Sequence, residues 1–138
     1  DSMLEIFAVR RMLESQATGL AATLGTDEQV AELQTEVASV DAAVTIEDLV
    51  DHDIRFHREI VAMSGNAYLA SLIEHLSSQT VRARVWRGLT EGGAVERTLS
   101  EHRAIADAIA QHDSALATSL ATAHIAGVER WLRQAAAS

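Results

Sequence analysis

Four side chains in this sequence have the type and spacing to hold a cation: Asp53, His57, His102 and His124. Asp53 and His57 stand at i and i+4 in "DHDIRFHREI", one helical turn apart, about the separation that two ligands of one metal ion require. His102 and His124 belong to later segments and would have to arrive from facing helices. Three neutral imidazoles and one carboxylate form a hard-to-borderline donor set suited to Zn, Ni, Fe or Mn, with zinc the leading expectation. The chain has no cysteine, so it offers neither a thiolate site nor a disulfide. If coordination exceeds four, the open positions can take water or an oxygen-bearing small molecule.

The elements that must bring these residues together read as helices. Glycines and capping residues mark their ends. A first helix runs from about Met3 to Leu24 and stops at Gly25, read here as a left-handed C-terminal residue. "TDEQ" (Thr26 to Gln29) is a capping box opening a second helix that ends near Val40, and "TIED" (Thr45 to Asp48) opens a third that ends at "SGN". A fourth runs from about Ala67 to Leu89 and is interrupted by "TEGG". A fifth covers Ala94 to His112, and Asp113 caps a sixth that reaches about Ala136. No segment alternates with the period of a strand. The fold class expected is all-α, an antiparallel bundle of about six helices around a central metal or ligand cavity.

Aligning each helix by its apolar positions puts the candidate ligands on inward faces. The third helix carries Ile46, Leu49, Val50, Asp53, His57, Ile60 and Val61 on one stripe. The fifth carries Val95, Leu99, His102, Ile105, Ala106 and Ile109, and the sixth Leu116, Leu120, His124, Val128, Trp131 and Leu132. A buried polar group without a partner costs roughly 1–3 kcal/mol, and a carboxylate more, so four such intrusions need a common compensation. A single divalent cation supplies one. The plainer alternative is a set of core histidines hydrogen-bonded to backbone, with Asp53 and His57 forming an ordinary helix contact. Of the other histidines, His52 lies one residue off the stripe and reads as solvated. His75 has no clear direction, and His112 sits near a helix end where imidazole can meet free carbonyls.

The first helix has an intruder too. Arg10 falls on the line Met3, Phe7, Leu13, Ala17, Leu20, Ala21, Leu24, where a guanidinium needs an anion: a bound carboxylate, or Glu14 one turn on. Gln79, between Leu76 and Ala83, is a candidate pocket-lining amide, with a satisfied core amide as the plainer reading. Arg82, Arg84 and Arg87 could reach a pocket mouth, though a solvated basic face is the simpler expectation.

Composition narrows the function classes. The chain has 138 residues, 48% of them apolar, enough for one domain with a substantial core. Its net charge of −9 repels phosphate backbones, so these residues alone are poorly suited to touch nucleic acid. No apolar run approaches the ~20 residues needed to span a bilayer, and a cytoplasmic protein with no membrane partner is the default.

Several motifs together resemble a known family. "VRRMLES" with "ATGLAATLGT", then "DIRFHREIVAMSGNAYLASLIEHL", then "SEHRAIADAIAQHDSALATSLATAHI" are similar to the C-terminal effector-binding (FCD) domain of FadR-subfamily GntR transcriptional regulators. D-x-x-F-H followed by S-G-N, and E-H-x-x-I-x-x-A-I-x-x-x-D ahead of the final A-H, are the most specific portions. The resemblance covers residues 1–138 and implies a helical bundle with a metal held by an aspartate and three histidines, which fall on Asp53, His57, His102 and His124. It also implies that Arg10, in R-x-x-L-E, points to the carboxylate of a small organic acid effector. Such regulators are usually homodimers that bind operator DNA through an N-terminal winged helix-turn-helix, which these residues do not include. The rival reading is a metal-dependent hydrolase or oxygenase on the same scaffold, in which metal-bound water would be activated. No H-E-x-x-H or paired E-x-x-H supports it, and Glu101, beside His102 but about 100° around the helix, is badly placed as a general base.

Overall fold

The computed structural model describes residues 2–137, and every element among them is helical. The helices are α1 (Ser2–Leu24), α2 (Asp27–Ala38), α3 (Ile46–Met63), α4 (Ala67–Thr90), α5 (Ala94–Ala110) and α6 (Ser114–Ala137). All six agree with the sequence reading to within two residues at each end.

The caps act as the sequence indicates. The Thr26 hydroxyl accepts from Gln29 N at 3.1 Å while the Gln29 side chain accepts from Thr26 N at 3.0 Å, closing the capping box of α2. Thr45, Asn66 and Asp113 cap α3, α4 and α6 by accepting the amide three residues on. Gly65 and Gly93 hold positive φ of 73° and 79° at the turns before α4 and α5. Gly25 does not adopt the left-handed conformation expected of it. A side chain there would collide with the Ala21 carbonyl, rigid backbone one turn earlier, and with the movable end of Met63, so lack of space at the end of α1 is what favours glycine.

Helices α1 and α6 run antiparallel, with Arg11 against Glu129, Ser15 against Thr122 and Gly19 against Ser114. Small residues (Ala17, Gly19, Ala21, Ala22 on α1; Ala117, Ala121 on α6) let these backbones come close. The buried arc of α1 is accordingly rotated from the stripe expected, and Leu20 and Leu24 are exposed. Three apolar clusters build the core. The largest joins α1, α2, α3, α5 and α6 through Leu33, Phe56, Ile60, Met63, Ile105 and Ile109. A second, around Phe7, Ile125, Val128 and Leu132, joins α1, α4 and α6. The third sets Ala17, Val61 and Ile73 together from α1, α3 and α4. The space where these clusters meet is polar.

Candidate metal centre

Asp53, His57, His102 and His124 converge there. Each is buried, and each offers one ligand atom within 4.8 Å of the others. Ligand atoms of one ion at about 2.2 Å span at most ~4.4 Å, so adjustments of a few tenths of an ångström suffice for a common ion. The three helices do this because each bears its polar residue among apolar neighbours one turn away on either side, and packing those neighbours carries the polar group inward. Phe56 stacks on the His102 ring at 4.0 Å and 12°, which fixes that ring in its plane.

The outer nitrogen of every ring is held. His57 Nδ1 lies 2.7 Å from Glu14 Oε1, His124 Nδ1 lies 2.8 Å from Glu101 Oε1, and His102 Nδ1 lies 2.9 Å from His52 Nε2. In each case Nε2 is the nitrogen left to face the centre. The Nε2 atoms of His57 and His102 are 3.1 and 3.3 Å from Asp53 Oδ1, yet neither makes a hydrogen bond, and both are sealed from solvent. Two buried ring nitrogens without a hydrogen-bond partner, beside a carboxylate oxygen, are a site that a cation completes. Imidazoles steered at Nδ1 by carboxylates are the usual surroundings of a metal-bound histidine.

At His102 electrostatics point the same way. Burial pushes the His102 imidazole down to about 3, despite its contact with Asp53, so the ring is neutral and its lone pair is available. For His57, burial opposes the charged form, but Glu14 and Asp53 outweigh it and raise the group. Burial also works against ionising Asp53, but Arg84, His57 and His102 together hold it well below the carboxylate range. Glu14 is lowered against its burial by Arg10 and His57.

Arg84 is the member of this site that the sequence reading set aside. Its guanidinium forms an ion pair with Asp53 Oδ2, leaving Oδ1 toward the histidines. It is anchored by Thr80 Oγ1 at 3.2 Å and by Ser77 O and Oγ at 2.9 Å. Arg84, Arg87 and Arg10 line a pocket beside the cluster together with Asp53, His124 and the apolar Leu49, Val50, Ile125 and Val128. Arg10 is buried and ion-paired with Glu14, the internal partner weighed in the sequence, and it also forms part of the pocket wall.

Two expectations need correction. Gln79 does not reach the site; it is exposed on α4, and Thr80, the next residue, takes the inward position. His52 is not solvated but fully buried, because α2 covers that side of α3. The signal for it was in the sequence: His52, Phe56 and Met63 form a second inward line beside the Asp53–His57 stripe. Of the remaining histidines, His75 is exposed, while His112 Nδ1 meets the Ala22 carbonyl at 3.0 Å.

The family model described as FCD domain matches residues 5–127. The uncharacterized HTH-type transcriptional regulator YieP of Escherichia coli is 36% identical over 115 residues, covering 80% of this chain and 48% of the relative. The HTH-type transcriptional regulator LutR of Bacillus subtilis is 28% identical over 137 residues, covering 94% of this chain and 61% of the relative. The chain therefore spans about half to three fifths of the lengths of these two relatives. Among solved structures, Streptococcus agalactiae GntR superposes with a TM-score of 0.72 at 25% identity, covering 93% of this chain and 58% of the other. The metal-free FCD domain of TM0439 gives 0.72 at 23% identity, covering 93% of this chain and 89% of the other, and shows the shared fold.

Proposed function

This chain belongs to the FCD domain family, and from that premise we propose that it is the effector-binding domain of a GntR-type transcriptional regulator, holding a divalent cation and a small carboxylate. Asp53, His57, His102 and His124 are the ligands. The observation that carries the reading is the pair of buried, unpartnered Nε2 atoms of His57 and His102 beside Asp53 Oδ1. The donor set favours zinc, with Ni, Fe or Mn also suited. A bound cation supplies positive charge, and through any open position a seat for a ligand oxygen.

The residues of the chain do the rest. Arg84 and Arg10 present guanidinium groups to the pocket, with Arg87 on the same wall paired to Glu91. Their charge attracts an acid, and a planar guanidinium matches a carboxylate. Leu49, Val50, Ile125 and Val128 offer apolar contact to its carbon skeleton. An incoming carboxylate competes with Asp53 for Arg84, so binding it rearranges contacts among α3, α4 and α6. That rearrangement regulates DNA binding if the acid has different affinity for the arrangements that do and do not fit an operator.

In the longer protein, operator contact would belong to an N-terminal winged helix-turn-helix, with the regulator acting as a cytoplasmic homodimer. No described helix is long and apolar enough to cross a membrane. The relatives named above are transcriptional regulators, and the hydrolase or oxygenase alternative has no counterpart among them.

The test is elemental analysis of protein purified without chelator or nickel resin, followed by thermal shift of the zinc-loaded form against small dicarboxylates, hydroxy acids and sugar acids. One metal per chain is expected, and an acid at a hundred times its Kd adds ~2.7 kcal/mol of stability. A protein that takes up no divalent ion at micromolar concentrations overturns the metal reading. A zinc-loaded form that no carboxylate stabilises overturns the effector reading.

A further inference from the structure

His52 is fully buried one residue before Asp53, yet it does not face the cluster. Its Nε2 meets His102 Nδ1 at 2.9 Å, and its Nδ1 meets Glu36 Oε2 at 2.8 Å. Glu36 lies on α2 near the surface, where its other oxygen takes the Arg55 Nε–H at 2.9 Å.

The chemistry of the end group sets the direction of the chain. An ionised carboxylate only accepts, so His52 Nδ1–H donates to Glu36. A neutral His52 then has a bare Nε2, which can only accept, so His102 must carry its proton on Nδ1. The consequence is that His102 Nε2 is left unprotonated, facing Asp53 Oδ1 at 3.3 Å, in the form a cation needs. For His57 and His124 the partner of Nδ1 is a carboxylate in direct contact, Glu14 and Glu101. His102 lies where a third carboxylate would add charge beside Asp53 and Glu14 in the core. With His52 between them, the Glu36 carboxylate stays outside, next to Arg55.

We propose that His52 and Glu36 are positioning residues that select the metal-binding tautomer of His102 from outside the ligand set. The proposal rests on the metal reading for its effect on affinity, but the tautomer itself can be measured without metal.

The experiment uses His52→Leu, His52→Gln and Glu36→Ala in the whole chain. Glutamine is chosen because its amide oxygen can stand near the position of Nε2 and accept from His102. In metal-free protein, long-range 15N–1H spectra of the imidazoles are expected to show His102 protonated at Nδ1 in the unmodified chain and in His52→Gln. They should show it protonated at Nε2, toward Asp53, in His52→Leu, with Glu36→Ala moving the same signal partway. Zinc affinity by chelator competition should fall about 10–100-fold in His52→Leu and recover mostly in His52→Gln. Nδ1 protonation of His102 that persists in His52→Leu overturns the proposal, and an unmoved signal in Glu36→Ala removes Glu36 from it. Equal affinity losses in both His52 variants, matched by equal drops in the metal-free melting temperature, also overturn it by reducing His52 to a packing role. If the unmodified chain binds no zinc, the metal reading fails, while the tautomer spectra still decide the relay.

Discussion

Replacing Glu101 with alanine should weaken divalent-cation binding while leaving the metal-free fold almost unchanged. Glu101 Oε1 accepts from His124 Nδ1 at 2.8 Å and does nothing else in the core; its side chain is 31% exposed against 6% for His124. Without it the His124 ring loses both its tautomer preference and its orientation. Removing such an outer acceptor typically costs 10–100-fold in metal affinity, or ~1.4–2.7 kcal/mol at about 1.4 kcal/mol per decade. The metal-free protein loses only a partly solvated pair, worth ~0–1 kcal/mol, and alanine in the middle of α5 returns some of that through helix propensity. With ~2.1 cal/mol/K of unfolding entropy per residue, 138 residues give about 0.3 kcal/mol/K. The zinc-saturated melting temperature should therefore drop by ~5–9 °C, with a much smaller drop in the metal-free form. Calorimetry with and without zinc, beside chelator competition, makes the comparison. If the two forms lose the same number of degrees and the affinity is unchanged, Glu101 does not orient a ligand, and the reading of the paired ring nitrogens is wrong.

Other substitutions and conditions separate the site from the scaffold. His124→Ala should abolish stoichiometric zinc after dialysis, measured by elemental analysis, with the helical spectrum retained. Leu33→Ala, at a fully buried position of the largest apolar cluster, should cost ~2–5 kcal/mol in urea unfolding and leave zinc affinity per folded molecule intact. The metal-free protein should lose stability as the pH falls from about 6.5 toward 3. Across that window an unfolded His102 takes up a proton that the folded ring refuses until about 3, so the unfolded state binds more protons. The lowered carboxyls of Glu14 and Asp53 extend the loss at the acid end. His57, raised in the fold, contributes stability that is complete below ~6.5 and disappears only as the pH rises through its folded value, so it does not mask the trend. Urea midpoints that stay level from pH 7 to pH 4 would contradict this.

The helices and the four convergent residues were legible in the sequence because both follow from local periodicity. A polar side chain with apolar neighbours one turn away on each side has to go where they go. The surroundings of the four were less legible, since they depend on which helix covers which flank. The periodicity of α3 alone leaves His52 facing solvent; α2 laid over that flank buries it against Glu36. Arg84 read as part of a basic face, because nothing within α4 shows that Asp53 stands opposite. Glu101 is badly angled to serve as a general base beside His102, but that same angle aims it at His124 on the next helix. Gln79 failed for the converse reason. Its neighbours Leu76 and Ala83 suggested an inward line, but Thr80 and Ala83 define the buried edge of α4.

The way these polar contacts connect the helices gives a cation a place to act on several of them at once. Asp53 links α3 to α4 through Arg84 and faces His57 and His102. From His57 the contacts run to Glu14 and Arg10 on α1, and from His102 through His52 to Glu36 on α2. Five helices are thus joined through one carboxylate. His124 meets the other two ligand histidines only as rings, at 5.9 and 5.0 Å, while its hydrogen bond goes outward to Glu101 on α5. A cation held by all four residues would bind α6 directly to the Asp53 hub. It would also satisfy two nitrogens whose lack of partners costs roughly 1–3 kcal/mol each. Because α6 packs against α1 along much of its length, fixing α6 constrains α1 as well. An acid that draws Arg84 away from Asp53 acts on the same hub from the side of α4. Metal and acid would then bias one shared set of helix positions, the physical condition for coupling between two ligands.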